Sequence, residues 1–485
     1  MLLFGEKLSA YLDGEETREL MSVSTGSRPT QSTIGLPNGP HARIVITIAS
    51  MGFFLITLDI SIVNVALAQI RAELGGGTVG QQWIIDGYTL LFAALLLFAG
   101  NLSDRIGAKK AMALGIAVFG VTSAACAFAP TSAALIAARC AQGAGAAIML
   151  PASMALVREA FPDPARRAKA LGVWAVGGAV AALVGQPLGG LLTTFDWRWV
   201  FTINLPVCAG MLIFLSMVAT SPTRPAPFDW AGQVLAVIGL STLVYGLIEG
   251  GHAGFESRSV VVALTVAVLA LVSFVLVQAR VRHPMMPLDL FQARGFRLAL
   301  PVGFAFMVGN YGNVFVVSLY LQQELQLSPL HAGLVFLPAA FFAIAANLAS
   351  GPITNRYGAR LPVVAGLTSM AVGLTAMLFV APLGHPALIA LCVIPIGAGG
   401  ALAMPSVTGV VLEGVPGRQA GTASAVFNTF RQVGGAVAIA VFGALIASPD
   451  QVVLGLRLSL GIAATLLFLA ALSSLRIQPR SDTTT

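Results

Sequence analysis

Residues 100–110 read GNLSDRIGAKK, and residues 351–360 read GPITNRYGAR. Gly, Arg, Gly and a basic end fall in one register, and the offset from Gly100 to Gly351 is 251 residues. Each stretch follows a long apolar run and precedes another. The same polar turn written twice between apolar runs marks an internal duplication. Membrane transporters are commonly built from such repeats, with the substrate site near the midplane between the halves. Channels also duplicate, so the repeat by itself leaves the mechanism open.

Composition sets the medium. Of 485 residues, 57% are hydrophobic and only 10% charged, where a soluble domain has about 25% charged. Mean hydropathy is +0.87. A run of about 20 apolar residues reads as a membrane helix. Such runs lie at roughly 44–67, 83–100, 111–129, 133–157, 169–192, 199–219, 230–250, 259–278, 298–321, 331–353, 361–382, 387–412, 420–447 and 452–475, which makes fourteen. The expected fold is an all-α polytopic membrane protein. The net charge of +7 is scattered over short loops with no basic stripe, so nucleic acid is not an expected partner. The four cysteines lie far apart in apolar segments, and the five histidines show no ligand spacing. Neither disulfide nor metal site is expected.

Orientation follows from the basic residues. With the N-terminus inside, twenty-one of the 27 Lys and Arg fall on inner segments, and only Arg71, Arg198 and Arg258 on outer loops. Arg139, Arg431 and Arg457 lie within spans. This asymmetry puts both termini in the cytoplasm. The chain then divides into a disordered cytoplasmic tail (1–42), a six-helix half (43–220), two inserted helices (229–278), a cytoplasmic loop (279–297), a second six-helix half (298–475) and a short cytoplasmic tail (476–485). Met21 is an alternative start.

These stretches together resemble the major facilitator superfamily, and specifically its fourteen-helix drug–proton antiporter branch. GNLSDRIGAKK is similar to the superfamily's loop motif between helices 2 and 3. LIAARCAQGAGAA (135–147) resembles its helix 4 motif, LDISIVNVAL (58–67) the branch's helix 1 motif, and DWRWVFTINLP (196–206) its start of helix 6. SPLHAGLVFLP (328–338) and GTASAVFNTFRQVGG (421–435) resemble later segments. The resemblance implies two pseudo-symmetric six-helix halves plus two inserted helices. It also implies a gating loop of Gly100, Asp104, Arg105, Gly107, Lys109 and Lys110. Gly107 is read as serving the tight turn and Gly100 a close helix approach. The helix 5 antiporter motif, Gly-Pro-x-x-Gly-Gly, departs here to GQPLGG (185–190). Gln186 takes the proline's place, while Gly185, Pro187, Gly189 and Gly190 keep the means for close packing. In the second half Asn355 replaces the loop's aspartate, so the charge part of the gate rests on Asp104.

Charged groups deep in a bilayer are costly and are functional candidates by default. Asp59 is placed eight residues before the outer end of helix 1, and Arg139 about six residues into helix 4, at similar heights. They are read as coupled, directly or through water or Gln142. A change in that balance would convert a proton gradient into work; the competing reading is a structural pair. Asp86, placed near the outer end of helix 2 in a stripe with Gln82 and Thr89, is either a second proton site or a solvated vestibule residue. Asn64 is read as a packing residue. A substrate cavity is expected from Gln142, Asn310, Tyr311, Asn313, Asn428 and Arg431, with helix packing as the alternative for the polar groups.

No ATP-binding motif or domain is found, so the expected energy source is a proton gradient and no cofactor is implied. The leading expectation is a monomeric plasma-membrane antiporter that exports drugs, antibiotics or other amphipathic toxic compounds in exchange for protons. The runner-up is a transporter of one defined metabolite, such as an amino acid, siderophore or biosynthetic product. A membrane sensor ranks below both. An enzyme would need clustered polar groups at a membrane face, and none is found.

Overall fold

A computed structural model describes residues 40–223, 227–413, 415–416, 419–446 and 452–477. Most of both terminal tails, and Met21, lie outside the described residues. Fourteen helices there are long and apolar enough to cross a membrane. They are α1 Ala42–Leu74, α2 Gly77–Ile106, α3 Ala108–Ala127, α4 Ser132–Ala160, α5 Lys169–Thr193, α6 Trp199–Ser216, α7 Trp230–Ala253, α8 Arg258–Arg280, α9 Arg294–Gln323, α10 Pro329–Tyr357, α11 Arg360–Leu383, α12 Pro386–Glu413, α13 Ala420–Leu445 and α14 Val452–Ser474. No strand occurs among the described residues.

The helices outrun the apolar windows that reveal them. α1 continues past Arg71 to Leu74, so Asp59 lies near its middle rather than close to its outer end. α2 begins at Gly77, so Asp86 sits nine residues inside it rather than at its mouth. Polar residues continue these helices because backbone hydrogen bonding does not stop where hydropathy falls. α6 is interrupted at Ile203 and α10 at Phe336. Pro206 and Pro338 follow those breaks; a proline cannot donate to the carbonyl four residues back.

The duplication is visible in the packing. α1 packs on α5 as α9 packs on α13; α2 on α4 as α10 on α12; α3 on α4 as α11 on α12. The turns of the repeat match at the backbone too. Gly107 has φ 88° and Gly358, 251 residues later, has φ 80°. Side chains rarely adopt that conformation. α7 packs on α8, α2 and α13, so the inserted pair attaches beside the seam between the halves.

Two helix pairs dominate that seam, α2 with α13 and α5 with α10, with a lesser contact of α1 with α9. It is tight on the face away from Gly107. There Gln82 Nε2 donates to the carbonyls of Ile439 (3.2 Å) and Ala440 (2.8 Å). A Cβ on Gly190 would stand 2.6 Å from the Pro329 carbonyl, and one on Gly333 would stand 2.4 Å from the Gln186 carbonyl. On the Gly107 face, by contrast, Gly100 has open space around the position of a Cβ. The close approach expected at Gly100 is therefore not present, because α2 meets α13 nearer its other end.

Candidate functional site

The first half encloses a polar network drawn from five helices. Asp59 on α1 pairs with Arg139 Nη1 on α4, and neither side chain has any exposed surface. Gln142, one turn on along α4, donates to Asp59 Oδ1 at 3.0 Å and accepts from Arg139 at 2.7 Å. Asn204 on α6 donates to the same Asp59 oxygen at 3.1 Å and to Ser123 Oγ on α3 at 3.0 Å. Arg139 Nε donates to the Ile84 carbonyl of α2 at 3.0 Å. Its guanidinium lies over the Tyr88 ring, 4.3 Å from the centroid. Burying an ion pair costs several kcal/mol per charge, repaid only if the remaining lone pairs and protons are satisfied. Here Asp59 accepts from three side chains, while Arg139 Nη2 has no partner among the described residues. The interruption of α6 at Ile203 sets Asn204 at the head of the following helix.

Gln142 thus belongs to the charge network and has no exposed surface with which to line a cavity. Asn204 and Ser123 are members that the sequence reading did not single out. Asn204 lay within the DWRWVFTINLP stretch, which was the available signal; Ser123 had none.

Asp86 is also fully buried, and neither carboxyl oxygen has a hydrogen-bond partner among the described residues. The solvated-vestibule reading of Asp86 does not hold. Its expected stripe is split, because Gln82 bonds to α13 and Thr89 bonds to the Ile85 carbonyl of its own helix. Asn64 behaves as a packing residue: its amide bonds to the Ile60 carbonyl, and its own carbonyl accepts from Ser318 of α9.

At the loop, Asp104, Arg105 and Lys110 are exposed. Asp104 makes no ion pair with a described residue, and Arg105 lies 4.9 Å from the Phe228 ring. Lys109 is anchored: its backbone N–H donates to Ser221 Oγ at 3.0 Å and its ammonium to the carbonyls of Ser216 and Val218. Ser221 in turn donates to Glu159 at 2.6 Å. The loop is thereby fastened to the ends of α4 and α6. A Cβ at Gly107 would meet the Ser221 carbonyl at 3.0 Å.

The GQPLGG stretch of α5 is packed on both sides. Added Cβ atoms would meet Ser61 at 2.5 Å from Gly185 and the Ile62 carbonyl at 2.7 Å from Gly189. Gly190 faces α10 instead, and Gln186 is buried. The helix continues through Pro187 to Thr193.

At the mouth of the first half, Arg198 Nη2 pairs with Glu73 at 2.7 Å, and Trp197 Nε1 donates to the same carboxylate at 2.6 Å. Hydrogen bonding to Glu73 raises the Arg198 guanidinium above its ordinary value, leaving it a fixed cation.

The second half is different. Arg431 on α13 is partly exposed at mid-helix and donates to Asn428 Oδ1 at 3.1 Å. It has no carboxylate partner among the described residues. Its guanidinium lies 5.5 Å from the Phe306 ring and 5.8 Å from the Phe427 ring. Asn310 and Tyr311 on α9 are partly exposed, while Asn313 is buried with its carbonyl unpartnered. Tyr311 packs against apolar clusters of both halves. No group of three metal-ligating side chains occurs among the described residues.

Residues 49–439 match the family described as the Major Facilitator Superfamily. The chain is 34% identical to the methylenomycin A resistance protein of Streptomyces coelicolor, over 95% of this chain and 96% of that one. It is 34% identical to the multidrug resistance protein Stp of Mycobacterium tuberculosis, over 84% and 76%. It is also 34% identical to the cephamycin export protein CmcT of Amycolatopsis lactamdurans, over 82% and 84%. Among solved structures, a D-xylose–proton symporter superposes with a TM-score of 0.66 at 14% identity, over 92% of this chain and 100% of that one. At that identity the likeness speaks for the fold.

Proposed function

The chain belongs to the major facilitator superfamily, and from that premise we propose that it exports drugs, antibiotics or other amphipathic toxic compounds across the plasma membrane in exchange for protons. Relatives named for resistance and export, matched along most of their length, support the direction and the substrate class. They favour this reading over uptake of one metabolite. The Gly107 face is assigned to the cytoplasm on the distribution of Lys and Arg. On that assignment the Gln82 and Gly190 contacts of the seam lie toward the outer face.

The observation that carries proton coupling is the Asp59–Arg139 pair. It is fully buried and joined by Gln142, Asn204, Ser123 and the Ile84 carbonyl into a network that touches five helices. A proton reaching Asp59 removes the charge that holds Arg139. The guanidinium retains Gln142 and the Ile84 carbonyl, and α1 is released from α4 and α6. Helices α1 and α5 pack closely through Gly178, Gly185 and Gly189, so a shift of α1 is passed to the α5–α10 seam. Rocking of the halves about the central site follows. Asp86, buried on α2 beside the other seam with no partner among the described residues, is assigned as the second proton-handling group.

The test is reconstitution with a pH-sensitive dye inside the vesicles. Addition of an exported compound should drive proton movement in the wild type. Asp59→Asn should bind compound but move no protons. Proton-driven efflux that survives Asp59→Asn would overturn the coupling role.

A further inference from the structure

Each half holds one arginine at depth, but only Arg139 is neutralised. The helices of the second half, α9 to α14, contain a single acidic residue, Glu413, and it is the last residue of α12. Arg431 therefore has no carboxylate at its level in its own half. In the first half, Asp59 is engaged by Arg139, and both Asp59 and Asp86 are wholly buried, so neither presents charge to the central surface.

Arg431 is nevertheless partly exposed at the middle of α13. A guanidinium facing hydrocarbon there would be prohibitively costly, so its open side faces the space between the halves. Tyr311, which touches the clusters of both halves, marks that space. The guanidinium carries five N–H donors. Nη1 bonds to Asn428, and Nε is buried with no partner among the described residues, so the open side of the group is at its Nη atoms. The buried rings of Phe306 and Phe427 lie beside it and hold its side chain in place. Gly303 makes the room: a Cβ there would stand 2.9 Å from Arg431 Cγ and 2.6 Å from the Phe427 ring.

We propose that Arg431 is the anion-recognition group of the central cavity, and that the preferred exported compounds are amphipathic carboxylates. The planar fork of arginine matches a carboxylate with two parallel hydrogen bonds. The proposal rests on the exporter reading and narrows its substrate class.

The test is equilibrium binding to the full-length protein in lipid nanodiscs, with no pH gradient. Three probes share one naphthyl-alkyl body and end in a carboxylate, its methyl ester or a trimethylammonium. The wild type should bind the carboxylate about tenfold or more tighter than either other probe, the factor expected of one charge-assisted pair. Arg431→Met should remove that preference and leave ester binding intact, which also reports that the variant is folded. Arg431→Lys should retain part of it. Asn428→Asp supplies Arg431 with an internal carboxylate without opening a cavity, and should remove the preference as well. The proposal is overturned if the wild type binds the ester or the trimethylammonium as tightly as the carboxylate. It is also overturned if both Arg431→Met and Asn428→Asp keep the carboxylate preference. Carboxylate selectivity without proton-driven flux would sink the exporter reading alone; flux of the trimethylammonium without carboxylate selectivity would sink this inference alone.

Discussion

Arg139 and Arg431 are the two guanidinium groups held deep in the helices, one in each half, and their surroundings are opposite. Arg139 has a carboxylate, an amide and a carbonyl as partners and no exposed surface. Arg431 has one amide, two aromatic neighbours and an open side. The backbones are pseudo-symmetric, down to the paired glycines at 107 and 358. Duplication has therefore supplied one scaffold twice, and the halves have diverged in charge. A neutralised, closed network suits a proton switch; an open cation suits a ligand.

The strongest way to break this comparison is Arg139→Ala. It leaves Asp59 buried without its cation, at a cost of about 3–5 kcal/mol. Proton-driven transport should fall to the level of empty vesicles, and thermal unfolding in detergent should occur at a clearly lower temperature. Arg431→Met, with no carboxylate left behind, should cost about 1 kcal/mol or less in the same unfolding assay. Equal destabilisation by the two substitutions would show that both arginines serve structure alone.

A second contrast is electrical. Proton entry and carboxylate exit both move positive charge inward, so an inside-negative potential assists the exchange by about 2.3 kcal/mol per elementary charge per 100 mV. Imposing a potassium diffusion potential should accelerate carboxylate efflux from wild-type vesicles. Efflux indifferent to the potential would contradict that charge balance.

The fourteen helices, the duplicated turn and the partnership of Asp59 with Arg139 could all be read from hydropathy, register and depth. What could not be read is how each helix is rotated about its axis. These helices are apolar nearly all round, so no stripe tells which side faces the core. Gln142 consequently reads both as a bridge between Asp59 and Arg139 and as cavity lining, and the packing keeps only the first role. Asn204 reaches both Asp59 and Ser123 from a helix distant in sequence, and only three-dimensional packing joins the three. Gly100 misled for a related reason: a glycine inside a matched motif still needs a neighbour, and α13 does not reach it here.

Asp86→Asn is expected to act between these extremes. The amide keeps the shape of a side chain that has no partner among the described residues, so unfolding should shift little. Removing the titratable group should flatten the dependence of transport on pH. An unchanged pH profile would leave Asp59 as the sole proton-handling site.

At the duplicated turn the halves again share a backbone but not a charge. Gly107→Ala and Gly358→Ala each place a side chain at a backbone conformation that costs about 1–3 kcal/mol. Gly107→Ala should be the more damaging of the two or equal to it, because its Cβ also meets Ser221. At the acidic position the symmetry should fail. Asp104→Asn should slow transport about tenfold if the gate's closing state depends on one charged contact. Asn355 is exposed. Asn355→Asp restores the missing acid at an exposed position, yet should alter transport less than Asp104→Asn does, no more than about twofold. If Asn355→Asp changes transport as much as Asp104→Asn, the two turns carry equal charge duties, and the division of labour between the halves would be confined to Arg139 and Arg431.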